Sequence, residues 1–288
     1  MATPVKKSAT RNTVNKARRR NKRQSRRGII LLAFSCALLL IGWLIPDHCR
    51  RSGDTIDPST DLEAVVTNPD LSEQIVKYSG MTISFNPEMH VPNWVAYELT
   101  AEEADGREPR AGGFMVDPDV DGCATPADYK NTGFDRGHMA PAADMKWSPE
   151  AMHESFYMTN IVPQARSLNS GTWGRLENKC RQRARKDSAI VIISGPVLTD
   201  KIEMHIGATG VAVPQRLFKV VMSPYSDPPQ AIGFLIPNGT LKGGMEAYAV
   251  SVDSVETVTG HDFFSALPDD IENRIESQVN FNRWSRMQ

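Results

Sequence analysis

The sequence has 288 residues and a formal net charge of −1, with 33 basic against 34 acidic residues. Its four cysteines include no close pair, which excludes the common zinc-binding patterns. The first 27 residues carry 11 Lys or Arg and no acid, so the rest of the chain has 22 basic against 34 acidic residues, a net charge of −12. A general nucleic-acid binder usually has a basic face, and an acidic domain weakens long-range attraction to a polyanion.

The basic tail of residues 1–27 is followed by an uncharged, almost wholly apolar stretch at 28–46. As a helix, this stretch would extend about 28 Å, close to the hydrocarbon thickness of a bilayer. No small-x-small cleavage site or lipoprotein box follows it, so a retained transmembrane helix is favoured over a cleaved signal peptide. The N-terminal positive charge predicts a cytoplasmic tail and an extracytoplasmic domain, either periplasmic or at the cell surface. An Arg-rich start without acids is also typical of mitochondrial import segments, so an alternative location in the mitochondrial inner membrane stays open.

Residues 47–75 are polar and contain Pro58 and Pro69, which is typical of a linker. A short helix around Leu71 to Tyr78 is an alternative for the end of this linker. Residues 76–288 are long enough for one domain with a full core. Cys123 and Cys180 could form a disulfide in an oxidising compartment, or both could be free thiols.

Apolar, β-branched segments predict the strands of this domain, at residues 82–85, 94–99, 189–193, 217–222 and 231–236. The run at 189–193, which ends at a Ser-Gly-Pro sequence, predicts a buried central strand. Residues 172–186 lack proline and are rich in helix formers, so they predict a helix. A shorter helix is predicted at 271–281. Because strands and helices do not alternate regularly, we expect an α+β domain with a mostly antiparallel sheet.

The stretch with the densest chemistry is Asp135-Arg136-Gly137-His138, which combines an acid, a guanidinium and an imidazole. Gly137 predicts a tight turn beside the imidazole. A guanidinium can hold a phosphate, and an imidazole, which titrates near neutral pH, can take a proton from water. A lone histidine is more often structural, but this one has reactive neighbours. A second polar cluster, residues 167–177, follows about 30 residues later, and we predict that the two clusters form one site.

The run from Asp135 to His138 resembles the signature of the non-specific DNA/RNA endonucleases of the ββα-metal class. The resemblance continues through residues 156–164, Leu168-Asn169, Trp173 and Leu176-Glu177, and extends over roughly the last 210 residues. It implies a ββα-metal nuclease fold, in which a central sheet is flanked by helices and a ββα unit carries the site. It also implies metal-dependent hydrolysis of phosphodiester bonds in DNA and RNA.

The resemblance implies roles for particular residues. One divalent cation, Mg²⁺ or else Mn²⁺ or another divalent ion, would be bound by Asn169. His138 would be the general base, and Glu177 would hold a metal-bound water. An arginine on an upstream strand would stabilise the transition state, and Arg110 is the nearest match for it.

The residues themselves leave alternatives open for each of these roles. Asn169 could instead be a helix N-cap. Glu177 lies eight residues later, a helical rise of about 12 Å, so both side chains cannot easily ligate one ion. Arg136 could clamp the phosphate or pair with a buried acid. Asp135 is expected to orient the local backbone, and Trp173 is expected in the core.

The basic run of Arg181, Arg183, Arg185 and Lys186 is interpreted as a solvated helix face, with a nucleic-acid rail as the alternative. Two other functions compete with nuclease activity. One is a membrane-anchored protein that binds nucleic acid without turnover, and the other is a phosphodiesterase acting on substrates other than nucleic acids. The sequence leaves the oligomeric state open, with a homodimer among the options.

Overall fold

The structure, a computed structural model, describes residues 56–57 and 59–286. The strands, numbered in chain order, are β1 (Val65–Val66), β2 (Gln74–Lys77), β3 (Thr82–Asn86), β4 (Val91–Thr100), β5 (Phe134–His138), β6 (Ile161–Ala165), β7 (Ala189–Pro196), β8 (Met204–Ile206), β9 (Val211–Val213), β10 (Arg216–Ser223), β11 (Gln230–Pro237), β12 (Ala249–Val250) and β13 (Asp262–Phe263). The α-helices are α1 (Pro149–Glu154), α2 (Gly174–Asp187), α3 (Val252–Thr259), α4 (Asp269–Glu276) and α5 (Phe281–Ser285). Short 3₁₀ turns occur at Glu103–Asp105, Pro126–Tyr129, Met158–Asn160 and Met245–Tyr248.

A seven-stranded sheet forms the centre of the fold, in the order β12-β11-β10-β7-β4-β3-β2. Each neighbouring pair in it is antiparallel. The five strands predicted from the apolar segments are all members of this sheet, as β3, β4, β7, β10 and β11. The prediction of an α+β domain with a mostly antiparallel sheet is therefore confirmed.

Strand β7 lies in the middle of the sheet and is buried on both faces. Its side chains alternate between two cores, because successive residues of a strand point to opposite faces. Ile190 and Ile192 pack in the first core, and Val191 and Ile193 pack in the second. The β-branched run was predicted as a central strand because an apolar run without alternation fits burial on both sides.

Each face of the sheet is covered by different elements. The first core includes Leu176, Cys180 and Ala184 of α2, together with Ile161 and Val162 of β6. The second core includes apolar residues of α3 and α4, namely Val252, Val255, Ile271 and Ile275. The motif strand β5 pairs with β6 in a separate two-stranded sheet, so it belongs to the α2 side of the molecule.

Two expectations about the edges of the domain need correction. Residues 59–75, assigned to a linker, contain β1, which pairs with β13, and Leu62 and Val65 pack against the second core. The folded domain therefore includes them. The possible helix from Leu71 is wrong, since strand β2 occupies this segment.

The C-terminal helix predicted at 271–281 is two helices, α4 and α5, with a break after Glu276. Cys123 and Cys180 are both free thiols. Across residues 56–57 and 59–286, no helix has the length and apolar character to span a bilayer. The predicted tail at 1–27 and anchor at 28–46 lie outside the described residues.

Candidate active site

Strand β5 presents the Asp135-to-His138 motif beside β6, with Gly137 opposite Val162 and His138 opposite Ile161. The tight turn predicted at Gly137 is wrong, because the residue lies within this strand. A Cβ atom at Gly137 would approach Oε1 of the buried Gln164 to 2.2 Å. Glycine is needed here for close packing against a neighbouring side chain.

The backbone that follows His138 is held by buried hydrogen bonds. The Asn160 side chain accepts from the Ala140 amide at 2.9 Å and donates to the Ala140 carbonyl at 2.8 Å. The Met139 carbonyl accepts from Ser194 Oγ of β7 at 2.9 Å. The Ser194 bond attaches the end of β5 to the central sheet, and the Asn160 bonds attach it to the turn that precedes β6.

The imidazole of His138 lies between two phenylalanines, with its ring centroid 5.1 Å from those of both Phe114 and Phe156. Part of the residue still reaches the surface. Its Nε2 atom is buried and has no hydrogen-bond partner among the described residues. Burial and the positive charge of Arg110 lower the pKa of His138 to about 3. The ring is therefore neutral at pH 7, which is the form that can accept a proton.

Two guanidinium groups stack on the same pair of phenylalanines. The Cζ atom of Arg136 lies 4.5 Å from the Phe114 ring centroid, and that of Arg110 lies 4.8 Å from the Phe156 centroid. Such cation–π contacts position a guanidinium without neutralising it. Arg136 makes no ion pair within the described part of the chain, so its alternative role in a buried salt bridge is wrong. Arg110 lies in an irregular segment rather than on a strand.

Asn169 lies within a π-helical turn, Leu168–Trp173, that leads into α2. Ser167 precedes this turn as its cap residue, so the interpretation of Asn169 as an N-cap is wrong. Its Nδ2 atom donates to Asp135 Oδ2 at 3.1 Å. This bond fixes the amide orientation and leaves Oδ1 without a hydrogen bond in the described structure. Asp135, expected to orient only the backbone, therefore orients a side chain.

Asp135, Arg136 and Asn169 line an open cleft of about 600 Å³, together with Phe114 and Lys130. The amide oxygen of Asn169 is the kind of hard, neutral ligand that Mg²⁺ or Mn²⁺ takes while keeping several waters. Because Asp135 holds the amide nitrogen, the oxygen is the atom left to face a ligand. These side chains therefore fit a divalent cation bound through Asn169.

Glu177, in the first turn of α2, belongs to a buried group of charges. Burial raises its pKa to about 7, against the opposing effects of Lys219 and Arg181, while Asp144 raises it further. Lys219 Nζ lies 3.5 Å from the Met139 carbonyl oxygen and 4.6 Å from the Trp173 ring centroid. The indole Nε1 of Trp173 is close to Glu177 but makes no hydrogen bond of normal geometry.

The four residues of the basic run hold α2 in place. Arg181 bonds to the buried Asp144, and the buried Arg183 bonds to Asp187 at 2.6 Å. Arg185 bonds to Asp105 at 2.7 Å, and Lys186 Nζ donates to the carbonyl of Arg286 at 3.3 Å. The interpretation of this run as a solvated helix face is therefore wrong for Arg181 and Arg183, whereas Arg185 and Lys186 are exposed, and all four cations have partners. Trp173 is fully buried, as expected for a core residue.

Sequence reasoning missed three contributors to the site. Phe114 contacts both Arg136 and His138, but a single aromatic residue in a loop carries no signal of its own. The bond from Asn169 to Asp135 joins residues 34 positions apart. Lys219 did leave a signal, because it is a charged residue in the middle of an apolar strand.

Comparisons with known proteins agree with the fold. Residues 58–270 match the sequence profile of a family described as DNA/RNA non-specific endonuclease. The chain is 36% identical over 207 residues to "Nuclease EXOG, mitochondrial" of Danio rerio, an alignment that covers 66% of this chain and 60% of that protein. It is 32% identical over 227 residues to "Nuclease C1" of Cunninghamella echinulata var. echinulata, covering 73% and 90% of the two proteins.

A solved structure is also similar. The crystal structure of the EndoG/EndoGI complex, described as showing the mechanism of EndoG inhibition, superposes with a TM-score of 0.64 at 26% identity. The superposition covers 68% of this chain and 88% of that chain. The aligned region spans 56–60% of the length of the EXOG relatives.

Proposed function

Because this chain belongs to the DNA/RNA non-specific endonuclease family, we propose that it hydrolyses phosphodiester bonds in both DNA and RNA. The observation that carries the proposal is the setting of His138, a neutral imidazole with a buried, unpartnered Nε2 between two phenylalanine rings, each of which carries a stacked guanidinium group. Buried polar atoms without partners are uncommon and call for a functional explanation.

Hydrolysis needs an activated water and neutralisation of charge on the phosphoryl oxygens. His138, as the neutral imidazole, takes the proton of the attacking water. Arg136 and Arg110, which stack on the two phenylalanines beside the imidazole, hold the phosphate. Asn169 would hold the divalent cation directly, and Glu177 would hold it through a bound water. When bound, Mg²⁺ or Mn²⁺ neutralises developing charge and assists the leaving oxygen.

A plasmid-nicking assay with the purified full-length chain and Mg²⁺ tests this proposal. His138→Ala should reduce the rate about 10²- to 10⁴-fold, the usual range for a lost general base. His205→Ala changes an exposed histidine of β8 and serves as the matched control. If His138→Ala folds normally and cuts at the parent rate, the histidine is structural and the proposed mechanism fails.

Parallel assays on RNA and on a small aryl phosphodiester define the substrate class. Comparable chelator-sensitive cleavage of DNA and RNA, with slow cleavage of the small ester, is expected for a sugar-non-specific nuclease. Binding of DNA without any cleavage would instead indicate a capture protein.

The proposal includes a location. The uncharged stretch at 28–46 is an uncleaved membrane anchor, the basic tail is cytoplasmic, and the nuclease domain is on the other side of the membrane. Reporter fusions after Arg27 and after Gln288 test this topology. Cytoplasmic activity of the C-terminal reporter would contradict the orientation, and a shortened, freely soluble product would contradict the anchor.

A further inference from the structure

Three carboxylates meet on the face of the sheet that is covered by α3 and α4. Asp253 and Glu256 lie on α3, and Glu276 is the last residue of α4. One oxygen from each lies within 4.8 Å of the other two. Within residues 56–57 and 59–286, no other group of three or more Asp, Glu, His or Cys side chains has such close spacing.

The spacing matches what a single hard cation requires. Oxygen ligands bind Ca²⁺ at about 2.3–2.6 Å, so two ligands of one ion lie at most about 5 Å apart. Asp253 and Glu256 are three residues apart on one helix and therefore share a face. Glu276 approaches from the second helix, so the three oxygens converge from two elements.

Glu276 is the observation that points to a ligand. The residue is only 4% exposed, and its Oε1 atom is buried without a hydrogen-bond partner. A buried carboxyl oxygen without a partner is unfavourable whether the group is charged or protonated. Its position at the C-terminal end of α4 adds to this, because the helix dipole is negative there.

The surroundings are also acidic. Glu272 and Asp262 lie close enough to Glu276 to interact with it electrostatically, in addition to Glu256 and Asp253. The Glu256 carboxylate accepts one hydrogen bond, from the Phe263 amide at 2.9 Å. Positive charge at this place would relieve both the desolvation and the mutual repulsion.

We propose that Asp253, Glu256 and Glu276 bind a divalent cation of the Ca²⁺ type, which joins α3 to α4. Ca²⁺ accepts several carboxylates in flexible geometry, whereas Mg²⁺ demands a near-ideal octahedron and keeps its waters. This site is separate from Asn169, because α3 and α4 pack in the second core whereas α2 packs in the first. Its role is structural, since the joined helices cover the sheet face opposite the active site.

Thermal unfolding of the full-length chain in detergent micelles, with 1 mM EDTA or about 1 mM CaCl₂, tests the proposal. Because a ligand that binds only the folded state stabilises it, Ca²⁺ should raise the midpoint by on the order of 5 °C. Asp253→Asn and Glu276→Gln should abolish most of this rise. Asp270→Asn, an exposed acid in the first turn of α4, is the matched control and should keep it.

The Asn169→Ala variant separates this site from the catalytic cation. The Ca²⁺-induced rise should persist in Asn169→Ala. Its loss there, an unchanged rise in Asp253→Asn, or no rise in the parent chain would each overturn the proposal. Asp253 is exposed, so its variant decides the matter even where Glu276→Gln fails to fold.

Discussion

The reactivity assigned to His138 comes from the two phenylalanines that enclose it, more than from the residues beside it in sequence. Phe114 and Phe156 remove the imidazole from water and at the same time carry Arg136 and Arg110. The same contacts therefore control the protonation of the base and the position of the phosphate-binding groups. The two effects can be separated by changing pH.

Phe114→Ala should lower the cleavage rate at pH 8 by about tenfold, because it removes a cation–π contact worth roughly 0.5–2 kcal/mol. It should also expose His138 and move its pKa up from about 3 toward its ordinary value of 6.5. A base must be unprotonated, so the acid limb of the rate profile should move to higher pH. Rates measured from pH 5 to 8 check this, with Phe281→Ala as a control outside the site. A uniform loss at all pH values would contradict the effect on the imidazole.

The hydrogen bond from Asn169 to Asp135 predicts how strongly three substitutions should weaken binding of the catalytic cation relative to one another. Asn169→Ala removes the proposed direct ligand and should raise the Mg²⁺ concentration for half-maximal activity the most. Asp135→Ala frees the amide to rotate, and Glu177→Gln removes a charge but can still bond a bound water. Each should weaken the response about 10- to 100-fold, as outer partners do. Magnesium titrations of the three variants check the order. If Glu177→Gln abolished the response while Asn169→Ala left it intact, Glu177 would be the direct ligand.

At the scale of residues, the sequence predicted His138, Arg136, Asn169 and Glu177 as site candidates because their chemical types form a recognisable pattern. It did not predict Phe114 or the orienting role of Asp135, because both act through contacts between segments distant in the chain. It also assigned Gly137 to a turn, because the need for close packing against Gln164 is visible only in three dimensions.

At the scale of elements, α2 is held against the sheet by a cluster of buried charges. Lys219 is on β10 between Leu217 and Val221, both of which face the first core. Its ammonium group lies near Glu177, Asp144 and Arg181. Burial lowers the pKa of Lys219, the two carboxylates oppose this effect, and Arg181 adds to it. The long helix was predicted from its composition, but its charged partners were not. They come from other elements, which a helical pattern cannot identify.

Lys219→Met should destabilise the fold by about 3–5 kcal/mol, because it leaves buried carboxylates without their shared cation. Adding Glu177→Gln to this variant should recover part of the loss, since one of those charges is then removed. Urea unfolding of the single and double variants checks both statements. Lys201→Met is the control, because that exposed ion pair with Glu203 should contribute less than about 1 kcal/mol. Equal stability of Lys219→Met and the parent would show that the cluster adds nothing.

At the scale of the whole molecule, the domain combines an acidic surface with a few cations near the cleft. Residues 28–288 carry 22 basic and 34 acidic residues, and the four cations of the α2 run are held by partners within the domain. Arg110, Arg136 and Lys130 are exposed cations near the active site, and Arg166 and Arg175, which flank Asn169 in sequence, are exposed as well. Attraction to nucleic acid must therefore be local, and the binding site should contact few phosphates.

This arrangement predicts a shallow salt dependence of DNA binding. Each phosphate contact contributes a slope of about −0.9 in log K against log salt, so contacts from three to five of these cations give roughly −3 to −5. The experiment uses residues 47–288, which lack the basic tail, with His138→Ala to prevent cleavage. KCl titrations of duplex DNA binding at constant Mg²⁺ measure the slope. Arg136→Ala should reduce the magnitude of this slope by about 1. Arg185→Ala should leave the slope unchanged, because Arg185 is paired with Asp105. A slope steeper than about −6 would mean that the domain has an extended basic surface. In that case the net negative charge would have concealed a second strip of phosphate contacts outside the cleft.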